Sequence, residues 1–156
     1  MPRVTVSEPI DAPADLVFAI ATDLDNAPAV IPDITEISVL TDGPFGEGTT
    51  WKETRVMFGK ECTETMKVIA FEPGHSYTTL AGSQGCEYRT TVRVEPDPAS
   101  PHRCTLTYDM LARAKSFKAR LMMPMFVLMK GMIRKAFAKD LACVRAAAEA
   151  PEPVPA

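Results

Sequence analysis

Residues 51–71 read Trp51-Lys52-Glu53-Thr54-Arg55-Val56-Met57-Phe58-Gly59-Lys60-Glu61-Cys62-Thr63-Glu64-Thr65-Met66-Lys67-Val68-Ile69-Ala70-Phe71. Apolar and polar residues alternate on both sides of a glycine, the pattern of a β-hairpin with one buried face. Gly59-Lys60 fits the centre of a primed two-residue turn, which predicts the pairs Met57 with Cys62, Arg55 with Glu64, Glu53 with Met66 and Trp51 with Val68. One face then carries Trp51, Glu53, Arg55, Met57, Cys62, Glu64, Met66, Val68 and Ala70. The other carries Lys52, Thr54, Val56, Thr63, Thr65 and Lys67, a composition suited to a solvated sheet face. The inward face is unusual, because it holds Glu53, Arg55 and Glu64 among its apolar residues. A cross-strand ion pair at an open hairpin end, or a wet cavity under the sheet, would account for them.

The pattern extends outward from this hairpin. Pro73-Gly74 turns the chain so that Tyr77, Thr79 and Ala81 join the inward face. Cys86, Tyr88, Thr90, Val92 and Val94 alternate with polar neighbours, as do Cys104, Leu106, Tyr108 and Met110. All three tyrosines and three of the four cysteines are thus expected to point inward. Upstream, Arg3 to Ile10 reads as a strand. A helix follows from Pro13 to about Thr22, started by the proline, and then a short helix over 23–30. A further strand spans 34–40. Ser116 to Ala150 reads as one long helix. Strands are segregated from helices in the order β-α-α-β-β-β-β-β-β-α, so the fold class is α+β. About seven antiparallel strands must lay one face on the final helix. Residues 1–150 are expected to form a single domain, with a Pro-rich, disordered tail at 151–156.

In the last helix Met122, Met125, Phe126, Met129, Ile133, Phe137, Leu141 and Val144 recur at 3–4 spacing, a stripe expected to be buried. Five of the nine methionines fall between Met122 and Met132. Pro124 and Gly131 bracket this region and could bend the helix off the sheet, leaving room beneath. Eight basic residues between Lys115 and Arg145 face Asp140 alone. That segment carries +7, and the rest of a chain whose net charge is −3 carries −10. Such a helix either pairs with the acidic body or meets an anionic membrane surface.

Composition excludes several classes. The longest nearly apolar stretch, 121–129, is far short of the about 20 residues that span a bilayer. No basic segment followed by an apolar run opens the chain, and the cysteines lie far apart, so a cytoplasmic protein with free thiols is expected. His75 and His102 have no partner at zinc-ligand or triad spacing, and neither metal nor cofactor is expected. Nucleic acid is not an expected partner, since no aromatic residues interleave with the basic ones.

Several motifs together resemble the START/Bet v 1-like (SRPBCC, helix-grip) superfamily, in particular its polyketide cyclase/dehydrase and lipid transport branch. They are Ile10-Asp11-Ala12-Pro13-Ala14-Asp15-Leu16-Val17-Phe18, Asp23 with Pro32-Asp33-Ile34, Gly48-Thr49-Thr50-Trp51, Phe71-Glu72-Pro73-Gly74-His75, and the long final helix. The resemblance runs from Arg3 to about Ala150. It implies a curved sheet gripping the C-terminal helix around a cavity for lipids, polyketides or other apolar molecules, and it brings no catalytic motif to match.

The leading expectation is binding or transport of an apolar small molecule. Its body would lie against Trp51, Met66, Met110, Met122, Met125, Phe126 and Met129, and its polar end would meet Glu53, Arg55, Glu64 or the hydroxyls of Tyr77, Tyr88 and Tyr108. The alternative is a cyclase or dehydratase with Glu53, Arg55 and Glu64 as acid–base candidates. A third is a membrane- or protein-docking module that uses the basic helix.

Overall fold

A computed structural model describes residues 2–83 and 85–151; residues 152–156, most of the expected tail, lie outside the described residues. The chain runs β1 (Arg3–Ile10), α1 (Ala14–Thr22), α2 (Ala27–Val30), β2 (Ile34–Val39), β3 (Thr50–Met57), β4 (Lys60–Glu72), β5 (Ser76–Ser83), β6 (Cys86–Asp97), β7 (Ser100–Ala114) and α3 (Phe117–Glu149). The seven strands form one antiparallel sheet in the order β1-β7-β6-β5-β4-β3-β2. This is the expected α+β helix-grip architecture. The two edges of the sheet are β1 and β2, which are adjacent among the strands in sequence and joined through α1 and α2. Pro9 is tolerated because β1 is an edge strand, and Pro96 because the β6–β7 register shifts just after it.

The β3–β4 hairpin differs from expectation in register. Met57 pairs with Lys60, so Phe58 and Gly59 are the turn residues, with φ of 52° and 75°. Positive φ at both central positions marks the primed turn that matches strand twist, and glycine serves its second position. The partners therefore move by two residues. Arg55 lies opposite Cys62, Glu53 opposite Glu64 and Trp51 opposite Met66. A shift of two leaves every side chain on its expected face. A second difference does not. The register slips between Val68 and Ala70, leaving Ile69 as an extra residue. Beyond that bulge the faces exchange. Ala70, expected inward, is exposed, and Phe71 turns in against Phe18 and Phe45.

The main core gathers at one end of the grip, from Ile10, Val17, Phe18, Val68, Leu106, Leu141 and Val144. Each of these aliphatic or aromatic side chains contributes about 1.5–3 kcal/mol by burial. The Tyr77 hydroxyl donates to the Ala21 carbonyl at 3.2 Å and ties α1 to the sheet. At the other end a smaller cluster joins Val4, Met110 and Ile133, with Tyr88, Phe126 and Phe137 packed on it.

Helix α3 is anchored unevenly. Its C-terminal half buries Ile133, Asp140, Leu141, Val144 and Ala148. Arg145 clamps that half to β1 through Glu8 at 2.8 Å. The N-terminal half buries only Ala119 completely. Met122 and Met125, expected within the buried stripe, are more than two-fifths exposed, because the sheet does not close against this half. Ser116 caps the helix by accepting from Ala119 N at 3.1 Å. Gly85, at φ 81°, lets the β5–β6 turn approach the cap: a Cβ there would collide with the Ser116 side chain. Among the described residues no helix is long and apolar enough to cross a membrane.

Candidate functional site

Between the inward sheet face, α1–α2 and α3 lies a cavity of about 430 Å³. That size suits a small organic ligand. Period-2 alternation brings Trp51, Glu53, Arg55, Glu64 and Met66 to its wall from β3 and β4, and Tyr77, Tyr88, Tyr108 and Met110 from β5, β6 and β7. Helix α3 adds Met122, Met125, Phe126 and Met129 from above. The candidate site residues thus line one cavity, from the sheet on one side and from α3 on the other. Others were not foreseen: Ile20, Leu24 and Val30 close the end under α1–α2, and Met123 joins the α3 methionines.

The most consequential unforeseen residue is Asp140. It sits on the buried stripe of α3, three positions after Phe137 and four before Val144, and only 3% of its surface is exposed. Its Oδ2 accepts from Arg55 Nη1 at 2.8 Å. Arg55 Nε also donates to Glu53 Oε2 at 3.3 Å. The guanidinium therefore bridges the sheet to the helix, and Arg55 is not paired with Glu64 as the hairpin register had predicted. The signal was present: Asp140 is the one acid between Lys115 and Arg145, and it falls in phase with the apolar stripe.

Electrostatics follow from this geometry. Burial disfavours the charge on Arg55, but Asp140 and Glu53 outweigh it, and the pKa of Arg55 is raised. Burial pushes the carboxyl of Asp140 up despite Arg55. Glu64 has no ion pair or side-chain hydrogen bond among the described residues. Burial and the facing Glu53 raise its pKa, while Arg55 pulls weakly the other way. Like charges directly opposite across a strand pair are destabilising, so the Glu53–Glu64 pair is costly for the fold alone. Tyr88 is pushed up to about 12 by burial first, then by Cys86 and Glu64. Tyr77 and Tyr108 are also raised, mainly by burial, so all three phenols stay protonated donors near neutrality. Tyr88 stacks on Phe126 at 6.2 Å, and Tyr108 meets Phe137 edge-on at 5.6 Å, so two of the phenols also support α3. Trp51 Nε1 is buried without a partner. Among the described residues no group of three or more His, Cys, Asp or Glu is placed to hold a metal ion.

Solved structures share this architecture. A START superfamily protein from Mycobacterium smegmatis matches with a TM-score of 0.75 at 13% identity, over 94% of this chain and 97% of that one. The Zhui aromatase/cyclase from Streptomyces sp. R1128 gives 0.71 at 19% identity, over 95% and 93%. A truncated norcoclaurine synthase from Thalictrum flavum gives 0.72 at 17%, over 97% and 95%. At these identities the likeness concerns the fold. No curated protein matches in sequence. The model of one family, described as polyketide cyclase/dehydrase and lipid transport, matches residues 1–149. With that match over nearly its whole length, and with a cavity held between sheet and long helix, the chain belongs to the polyketide cyclase/dehydrase and lipid transport family.

Proposed function

We propose that the protein binds or carries an apolar small molecule in the cavity between sheet and α3. The observation that carries this reading is the apolar, methionine-rich wall of a cavity of about 430 Å³, roofed by a half-helix that packs little against the rest of the fold. Methionine side chains repack around varied apolar shapes at small cost. The ligand body would lie against Trp51, Met66, Met110, Met122, Met125, Phe126 and Met129, with a polar end near Glu53, Arg55, Glu64 or the tyrosine hydroxyls. The test is a thermal-shift screen with long-chain and polycyclic compounds, paired with native mass spectrometry of the freshly purified protein. A melting temperature that rises with ligand concentration supports the reading; no shift and no retained ligand would sink it. All four cysteines are unpaired, which fits the proposed cytoplasmic location.

A second reading, a cyclase or dehydratase acting on a β-keto chain, draws support from Glu64, a carboxyl held up by its surroundings beside protonated phenols. Arg55 is already engaged with both Glu53 and Asp140, which leaves Glu64 as the acid–base candidate. Turnover of a poly-β-keto thioester that survives in both Glu64→Gln and Glu53→Gln would remove this reading.

Membrane contact through α3 has its own observation. Phe117 is 77% exposed and Leu128 85%, with Leu121 and Met125 between them. Lys118, Arg120 and Lys130, on the same half of the helix, have no ion pair among the described residues. Arg145 and Lys139, on the other half, pair with Glu8 and Asp33. Co-sedimentation with anionic vesicles at low salt, lost on Leu128→Glu, is the expected result; equal recovery with neutral vesicles would contradict it.

A further inference from the structure

Within the reading of the cavity as an apolar-ligand site, its charge balance narrows the ligand. Among the described residues four charged side chains stand on the wall: Glu53, Glu64 and Asp140 against Arg55 alone. Arg55 is spent on Asp140 at 2.8 Å and on Glu53 at 3.3 Å. What remains is the Glu64 carboxyl, half-buried and facing Glu53 across the strand pair, with no ion pair among the described residues. No lysine or histidine lies on the wall among the described residues. Beside Glu64 on the same face of β4 stand Cys62 and Met66, and Tyr88 on β6 feels its charge. Of the donors, the Tyr77 hydroxyl is committed to Ala21 O, and Trp51 Nε1 is buried without a partner.

We infer that the cavity is built for an apolar molecule whose polar end is a protonated amine, received by Glu64 and the adjoining Glu53 carboxylate. An anionic end group would find its one cation already doubly engaged and would lie beside uncompensated carboxylates. A cationic end supplies the counter-charge that the wall lacks, and a charge-assisted hydrogen bond to Glu64 becomes strong where water is scarce. The raised pKa of Glu64 agrees with a carboxylate short of a partner. The inference rests on the apolar-ligand reading, but it makes a different demand, because that reading alone predicts no preference among end groups.

The experiment compares ligands of one chain length, dodecylamine, dodecanol and dodecanoate, by displacement of a neutral fluorescent probe from the full chain at neutral pH and below their micelle concentrations. The expected result is that the amine binds about tenfold or more tighter than the alcohol, and the carboxylate weakest. In Glu64→Gln the advantage of the amine over the alcohol should disappear. If all three displace the probe and the carboxylate or alcohol equals the amine, the amine assignment is overturned while the apolar cavity stands. Should the amine preference persist in Glu64→Gln, the receiving group is not Glu64 and the assignment fails. If nothing displaces the probe, or the probe does not bind, the cavity reading itself falls and this inference with it. The comparison in the unmodified protein decides the amine preference even if the variant does not fold.

Discussion

The side chain with the most structural consequence is Arg55, because it holds two carboxylates at the junction of sheet and helix. Removing one partner of a buried pair leaves the other charge stranded, at a cost of about 3–5 kcal/mol. Arg55→Met strands both Asp140 and Glu53. It is therefore expected to destabilise more than Asp140→Asn, and the double change Arg55→Met/Asp140→Leu should recover part of the loss, as read by urea midpoints. The carboxyls carry a pH signature of the less common sign. Glu64 and Asp140 have folded-state pKa values above their ordinary 4.5 and 3.8. Between the ordinary and the raised value the native state binds more protons than the unfolded chain, so stability falls as pH rises through that window. Urea midpoints from mildly acid to neutral pH should decline, and Glu64→Gln should flatten the decline. A profile that rises instead would mean that Glu64 has a cation partner. Sequence alternation placed Glu53, Arg55 and Glu64 on one face correctly. It could not pair them, because alternation defines a face and not a partner, and Asp140 comes from 85 positions further along the chain.

At the scale of elements, the β3–β4 turn and α3 are the informative pieces. Phe58 occupies the left-handed region at φ 52°, which costs a non-glycine residue about 1–2 kcal/mol and is best tolerated by asparagine. Phe58→Asn should raise stability by about 1 kcal/mol. Because Phe58 also stands on the cavity wall, the same change should weaken apolar ligands, and ligand titration beside thermal denaturation separates the two effects. In α3, Ser116→Ala removes the cap bond to Ala119 N, worth about 1 kcal/mol. The loss should be local: faster amide exchange over 117–129, with 133–148 little changed, since the latter half is held by its buried stripe. Uniform acceleration along the helix would show that the two halves open as one. Helical periodicity in the sequence runs through both halves, so it could not reveal that only one of them is covered. The bulge at Ile69 was equally hidden, as one extra residue leaves no mark on composition and yet exchanges Ala70 for Phe71.

At the scale of the whole molecule, the open sheet and the long helix make contact at the core end and stand apart over the cavity. A ligand that bridges the sheet wall to the methionines of α3 binds the native state only. It should therefore stabilise by linkage, about 2.7 kcal/mol at a hundredfold excess over its Kd, and slow exchange in the first half of α3 above all. Binding without that local protection would place the ligand elsewhere. By itself the sequence determined the strand and helix order, the inward faces and the residues available to a site, since two-residue and 3.6-residue periodicities are local properties of the chain. Only the tertiary structure decided that Glu53 faces Glu64, that Arg55 is consumed by Asp140, and that a cavity is left under half of α3. Those outcomes depend on one turn geometry, one bulge and the packing of residues distant in sequence, and side-chain periodicity records none of them.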